Sequence, residues 1–237
     1  MKECIINPER GKNDPQLPAG GFLLVNPAEA NYAAQFARSC KAERSFLYHS
    51  SLFVINQPEA SFFLAGPPVG APMAVMTLEK LIALGALNVV VLGWCGSLSQ
   101  SLHVGDILLP TWAVSEEGTS NHYPLHDRPH SSENLCTLLK NILRPEFRVQ
   151  EGPIWTTDAP YRETRDKVTE YGGRGILGVD MEFAALNTVA AFRGVEVAGA
   201  MLVSDELCQP EWQPGFLSKS FRKQSRNFFQ LLVDNFF

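Results

Sequence analysis

The sequence predicts an α/β domain whose sheet is buried on both faces. Short runs rich in β-branched and aromatic residues alternate with helical patterns along the whole chain. Several of those runs are almost unbroken apolar, as in Val89-Val90-Val91-Leu92. A strand without polar alternation has to be covered on both sides, so the sheet is expected to be parallel or mixed, with helices flanking it. No internal repeat, low-complexity tract or long linker divides the 237 residues, and a single domain over 1–237 is expected.

Taken in order, residues 22–25 read as the first strand and 29–39 as the first helix. Strands at 52–55 and 62–65 precede a helix at 73–84, and a buried strand at 89–93 follows it. Beyond it come a strand at 106–109, a helix at 134–143, a strand at 149–154 and a helix at 163–171. A helix at 181–193, a strand at 195–203 and a terminal helix at 219–235 complete the chain. Residues 115–132, rich in Gly, Pro, Ser and His, are the most irregular stretch and are expected to lie over a site or an interface.

Composition narrows the class. With 45% hydrophobic and 19% charged residues, the chain is globular rather than disordered or coiled-coil. A net charge of -5 and the lack of a basic run argue against nucleic acid as partner. Five scattered cysteines without a CxxC pair point to a reducing, cytoplasmic setting. Pro8, Glu9, Arg10, Lys12, Asp14, Pro15 and Pro18 interrupt the start, so no signal peptide is expected. Residues 81–102 run uncharged, but Gly85, Asn88, Gly93, Gly96, Ser97, Ser99, Gln100 and Ser101 break them into a helix end, a short strand and a glycine turn. No membrane span is expected.

Two motifs are set aside. Gly173-Arg174-Gly175-Ile176-Leu177-Gly178 matches GxGxxG, but it follows a helical stretch and leads into a short strand, the reverse of the dinucleotide context, so its glycines are read as a helix end. His122, His126, Asp127 and His130 would face one way only on a helix, and Pro124 and Pro129 argue against one. No metal site is expected there.

Three constellations remain. Gly93-Trp94-Cys95-Gly96-Ser97-Leu98 reads as a turn after a buried strand, where amides approach a ligand at the carboxyl edge of a sheet. Gly178-Val179-Asp180-Met181-Glu182 passes from a short strand into a helix, where an acid also suits the helix dipole. Val203-Ser204-Asp205-Glu206 closes an apolar strand, where an acid is also a common cap. Each alone is weak. Together, in this order, they resemble the nucleoside phosphorylase family, which includes purine nucleoside phosphorylase, uridine phosphorylase and the methylthioadenosine/adenosine-type nucleosidases. Val69-Gly70-Ala71-Pro72, Val104-Gly105-Asp106-Ile107 and Thr156-Thr157-Asp158-Ala159-Pro160-Tyr161 extend the resemblance over nearly the whole chain.

The resemblance implies a mixed sheet curled toward a barrel, and a nucleoside whose N-glycosidic bond breaks through a cationic sugar. It assigns Glu182 to the 2'- and 3'-hydroxyls, with Met181 packed against the sugar, and Gly93, Trp94, Cys95, Gly96 and Val179 to the substrate wall. Asp205 would hold the proton shared with purine N7, oriented by Ser204. Tyr161, with Arg162 nearby, falls where an aromatic covers the base, though a core tyrosine fits equally. The Ser-Asp pair favours a purine, while Glu117-Gly118-Thr119-Ser120-Asn121-His122-Tyr123 is more similar to the uridine phosphorylase loop and leaves the base open.

The departures concern phosphate. The family's phosphorylases use arginines in a Gly-Asp-Pro-x-Arg turn and before the glycine turn; here those positions read Val25-Asn26-Pro27-Ala28-Glu29 and Val91, with Trp94 for a Ser or Thr. One charge pair at about 4 Å is worth roughly 4 kcal/mol at an effective dielectric near 20, so Glu29 alone would disfavour a dianion by several. Arg44 matches an arginine reached from a neighbouring subunit, and Arg162 or Arg165 would be the substitutes. Glu29 is therefore expected either to activate water, as a glutamate near this turn does in the nucleosidases, or simply to begin a helix. Three readings stand: a hydrolase, a phosphorylase with a rebuilt phosphate site that takes phosphate as co-substrate, and a non-catalytic nucleoside-binding protein in which Trp94 fills the nucleophile's space. No metal or organic cofactor is implied, and a homo-oligomer built from dimers is expected from Arg44 and residues 115–132.

Overall fold

A computed structural model describes residues 4–58 and 60–236. Met1 to Glu3, Glu59 and Phe237 of the expected 1–237 span lie outside the described residues. Ten strands form one sheet: β1 Gly20–Leu24, β2 Arg44–Leu47, β3 Ser50–Asn56, β4 Ser61–Gly66, β5 Asn88–Ser97, β6 Ile107–Glu116, β7 Val149–Thr157, β8 Gly178–Asp180, β9 Glu196–Glu206 and β10 Gln213–Pro214. The helices are α1 Pro27–Ser39, α2 Ala71–Ala83, α3 Glu133–Leu143, α4 Arg165–Gly173, α5 Phe183–Arg193 and α6 Lys219–Asn235.

The strand order is β10-β9-β6-β7-β8-β5-β1-β4-β3-β2, and β9 also pairs with β5. That extra ladder closes β5, β8, β7, β6 and β9 into a barrel, while β1, β4, β3 and β2 extend from it as an open wing. The α/β class and the curled mixed sheet agree with expectation.

Side-chain alternation explains why both faces are apolar. Leu23, Val25, Val89 and Val91 join a core with α2 and α5, through residues such as Leu78 and Leu186. Phe22, Leu24, Val90 and Leu92 point the other way, into a core with α1, α3 and α6 that includes Leu139 and Phe229. A third cluster, Leu98, Trp155, Val168, Ile176 and Val179, ties α4 to the barrel.

Helix starts follow their caps. Asn26 accepts from the Ala28 N–H at 2.7 Å, and Pro27 opens α1 two residues earlier than expected. Thr164 caps α4, so that helix begins at Arg165 rather than 163. Gly175 and Gly194 have φ of 80° and 71° just past α4 and α5, where a left-handed turn releases the chain.

Two expectations are corrected. The wing strand β2 and the two-residue β10 were not expected, because neither carries an apolar run. The glycine turn at 93–98 is not a turn: β5 continues to Ser97, and neither Gly93 nor Gly96 has a positive φ. Residues 115–132 are partly ordered by the buried Glu117, which accepts from the N–H groups of Thr119 and Ser120 at 2.6 and 3.0 Å. Among the described residues, no helix is long and apolar enough to cross a membrane.

Gly21 sits at a tight point of the sheet. A Cβ there would lie 2.3 Å from the Phe63 ring on β4, its pairing partner. Gly21→Ala is expected to destabilise the fold by about 1–3 kcal/mol, read as a lowered urea midpoint at unchanged m-value.

Candidate active site

Five elements end at one rim of the barrel and enclose a cleft of about 580 Å³. The turn from β1 into α1 supplies Asn26 and Pro27, β5 supplies Trp94, Cys95 and Gly96, and the segment between β7 and α4 supplies Pro160, Tyr161 and Glu163. Val179 to Glu182 follow from β8, and Ser204 and Asp205 from β9. This is the carboxyl edge of the parallel strands, where open α/β sheets leave room for ligands.

A bulge aims the Ser-Asp pair. Along the parallel β5–β9 ladder Cys95 pairs with Val203 but Gly96 pairs with Asp205, so Ser204 is the extra residue. Its hydroxyl donates to Asp205 Oδ1 at 2.6 Å and lies 3.2 Å from the Cys95 carbonyl. Gly96 is required by what crowds it: a Cβ would meet Leu207 at 2.3 Å and Asp205 Oδ2 at 3.3 Å. The second oxygen, Oδ2, accepts from the Trp212 indole N–H at 2.7 Å.

Glu182 is placed by Asp180. The buried Asp180 carboxylate accepts from the backbone N–H groups of Glu182 and Phe183 at 3.1 and 2.6 Å and from the Thr156 hydroxyl, and so caps α5 from within the barrel. The helix accordingly starts at Phe183 and leaves Met181 and Glu182 in the cleft wall. Glu182 Oε1 accepts from the Gly70 N–H at 2.6 Å, and the φ of 83° at Gly70 turns that amide toward it. Burial, reinforced by the Asp180 charge, raises the Glu182 carboxyl well above its ordinary range, and burial raises Asp180 as well. Glu163 is pushed up to about 7 by burial and by the charges of Asp205 and Asp180. Burial also raises the Cys95 thiol, which makes it a wall rather than a nucleophile.

Of the residues singled out in the sequence, the cleft brings together Trp94, Cys95, Gly96, Tyr161, Val179, Met181, Glu182, Ser204 and Asp205. Tyr161 is fully exposed at the rim, so the core-tyrosine alternative is excluded. Gly93, Arg162, Arg44 and Glu29 do not line it. Gly93 is packed in β5 against Val25, where a Cβ would approach to 2.7 Å. Arg44 lies on the wing, its guanidinium 4.3 Å from the Phe46 ring centre and its Nε donating to Ser51. Glu29 is the main correction. It is fully buried in α1, where it accepts from the Trp94 indole at 2.5 Å and from the Ser225 hydroxyl of α6 at 2.6 Å. Burial raises its carboxyl, and Trp94 stands between it and the cleft as a wall residue stacked on Phe216. No residue of the irregular 115–132 segment lines the cleft.

Sequence reasoning missed Glu163, Trp212 and Phe216. The available signal was a tryptophan in a Pro- and Gly-rich stretch directly after the Ser-Asp pair. Among the described residues, no group of three or more His, Cys, Asp or Glu is arranged to hold a metal ion.

A family model described as the phosphorylase superfamily matches residues 21–237. Guanosine phosphorylase of Halorubrum lacusprofundi is 30% identical over 139 residues, 58% of this chain and 57% of that protein. The DeoD-type purine nucleoside phosphorylase of Bacillus thuringiensis is 29% identical over 146 residues, 60% of this chain and 62% of that protein. The matched region thus spans less than two thirds of these relatives. A uridine phosphorylase structure from Vibrio fischeri superposes with a TM-score of 0.78 at 21% identity, covering 93% of this chain and 90% of that one. Futalosine hydrolase of Helicobacter pylori gives 0.75 at 19%, covering 91% and 97%. These structures share the fold.

Two outcomes follow from the carboxyls. Glu29→Gln keeps both neutral contacts and is expected to change kcat by less than about threefold; a base that activates water would lose about a hundredfold or more. Burial raises Glu182, which is largely protonated near neutral pH, whereas a ligand hydroxyl donating to it would favour its ionised form. Binding of a ligand through such hydroxyls is therefore expected to release a proton and to tighten as pH rises through the neutral range. Calorimetry in buffers of different ionisation enthalpy reads that proton, which Glu182→Gln should abolish.

Proposed function

The chain belongs to the phosphorylase superfamily, and from that premise we propose that it cleaves the N-glycosidic bond of a nucleoside, preferring a purine and taking water as acceptor. The observation that carries this reading is the charge inventory of the cleft. Glu163, Asp180, Glu182 and Asp205 line it, and the one cationic side chain among its described lining residues is Arg165. That guanidinium is already committed: it donates to the carbonyls of Leu207, Gln209 and Pro210 at 2.7, 2.8 and 3.1 Å. A phosphate dianion entering here would meet carboxyls and no free cation.

In this reading Glu182 receives the two sugar hydroxyls and Met181 packs on the ring. The bonding pair of the C1'–N9 bond leaves with the base as Asp205 passes a proton to N7. Water supplies oxygen to C1' and loses a proton to solvent, so the products are a free base and a free pentose. The Ser204-Asp205 pair supports a purine, and so do the relatives named for guanosine and purine nucleosides. The uridine-like segment 117–123 lies off the cleft and carries no weight against it. Those same names make phosphorolysis the second reading, which requires Arg165 to leave its three carbonyls. A homo-oligomer built from dimers belongs to the proposal as well, supported by the exposed Phe46 and Tyr48 beside Arg44 on the wing.

Incubation with inosine, adenosine, methylthioadenosine and uridine, with and without phosphate, tests the reading. Free pentose from a purine nucleoside at a rate indifferent to phosphate is expected. Phosphate-dependent ribose 1-phosphate would overturn hydrolysis, and no cleavage of any substrate would overturn the enzyme.

A further inference from the structure

The segment between β9 and α6 is tied down along its length. At its start Arg165 holds the Leu207, Gln209 and Pro210 carbonyls. In its middle the Trp212 indole N–H reaches back to Asp205 Oδ2, while Ser204 holds Oδ1, and β10 then pairs with Asp205 and Glu206. Trp212 is 56% exposed, and its ring lies 5.9 Å from that of Phe216 between centres. A phenyl ring would keep that contact, which leaves the N–H as what tryptophan adds.

We propose that Trp212 is a positioning residue for Asp205: with Ser204 it fixes the carboxyl plane and receives the negative charge that Asp205 gains when its proton passes to the departing base. This rests on the nucleoside-cleaving reading above. The two donors lie on different oxygens, so the plane is set by two points while each oxygen keeps a second site at which the proton for the base can sit. A fixed donor aimed at charge that appears during the reaction acts on the transition state more than on the bound ground state.

Trp212→Phe is expected to lower kcat about tenfold with KM within about twofold, and Trp212→His, which keeps a ring N–H, to recover part of the loss. A rise in KM at unchanged kcat, or no change in either, would overturn the proposal. So would equal losses in the Phe and His variants. A substrate-free arm separates this from the enzyme reading. Asp205→Ala is expected to change the tryptophan emission of the ligand-free protein, and to have no such effect in a Trp212→Phe background. If the wild type cleaves nothing but that spectral difference appears, the reaction assignment falls and the contact stands. If it is absent, the contact itself is refuted.

Discussion

The arrangement depends on β9 pairing with β5 in addition to its neighbours β6 and β10. β9 runs parallel to β5 along the whole of that strand and meets β6 on its other side, and this closes the ring. Closure fixes where the strand ends must lie. Opposite Cys95 and Gly96 the β5–β9 ladder shifts by one residue at Ser204, and a shift of one residue turns the later side chains to the opposite face. Ser204 and Asp205 reach the cleft because the ladder slips by one residue next to Gly96.

The second constraint is electrostatic. Several carboxyls surround one small space, and burial together with mutual repulsion makes full ionisation unfavourable. The backbone offsets part of this. Asp180 is surrounded by helix-start amides and Glu182 by the Gly70 amide, so both stay inside without a cationic partner. A site of this kind suits neutral donors such as hydroxyls and ring N–H groups, and resists anions.

Much of the architecture was legible in the sequence because periodicity reports burial. The Val89–Leu92 run and the helical pattern up to Arg193 each encode a local choice that packing did not overrule, whereas the caps at Asn26 and Thr164 were not read and move the starts of α1 and α4 by two residues. Met181-Glu182 and Ser204-Asp205 were legible as strand ends. What stayed hidden was long-range. Nothing local distinguishes a glycine that turns the chain from one that makes room for Leu207, so Gly93 to Leu98 read as a loop. Glu29 read as a candidate base because the resemblance places a water-activating glutamate near this turn, whereas its environment is set by Ser225, almost two hundred residues away. Trp212 carried no periodic signal at all.

The trio of Glu29, Trp94 and Ser225 has a consequence for how this cleft can change. Glu29 Oε2 already lacks a partner in a fully buried setting, so the cluster has no spare tolerance. Replacing Trp94 by a small hydroxyl residue would open space but strand the acid behind it, and an arginine at 29 would point into α6. Conversion to an anion-accepting pocket would thus need coordinated replacement across three separate elements, and any stepwise route passes through intermediates with an orphaned group in the interior.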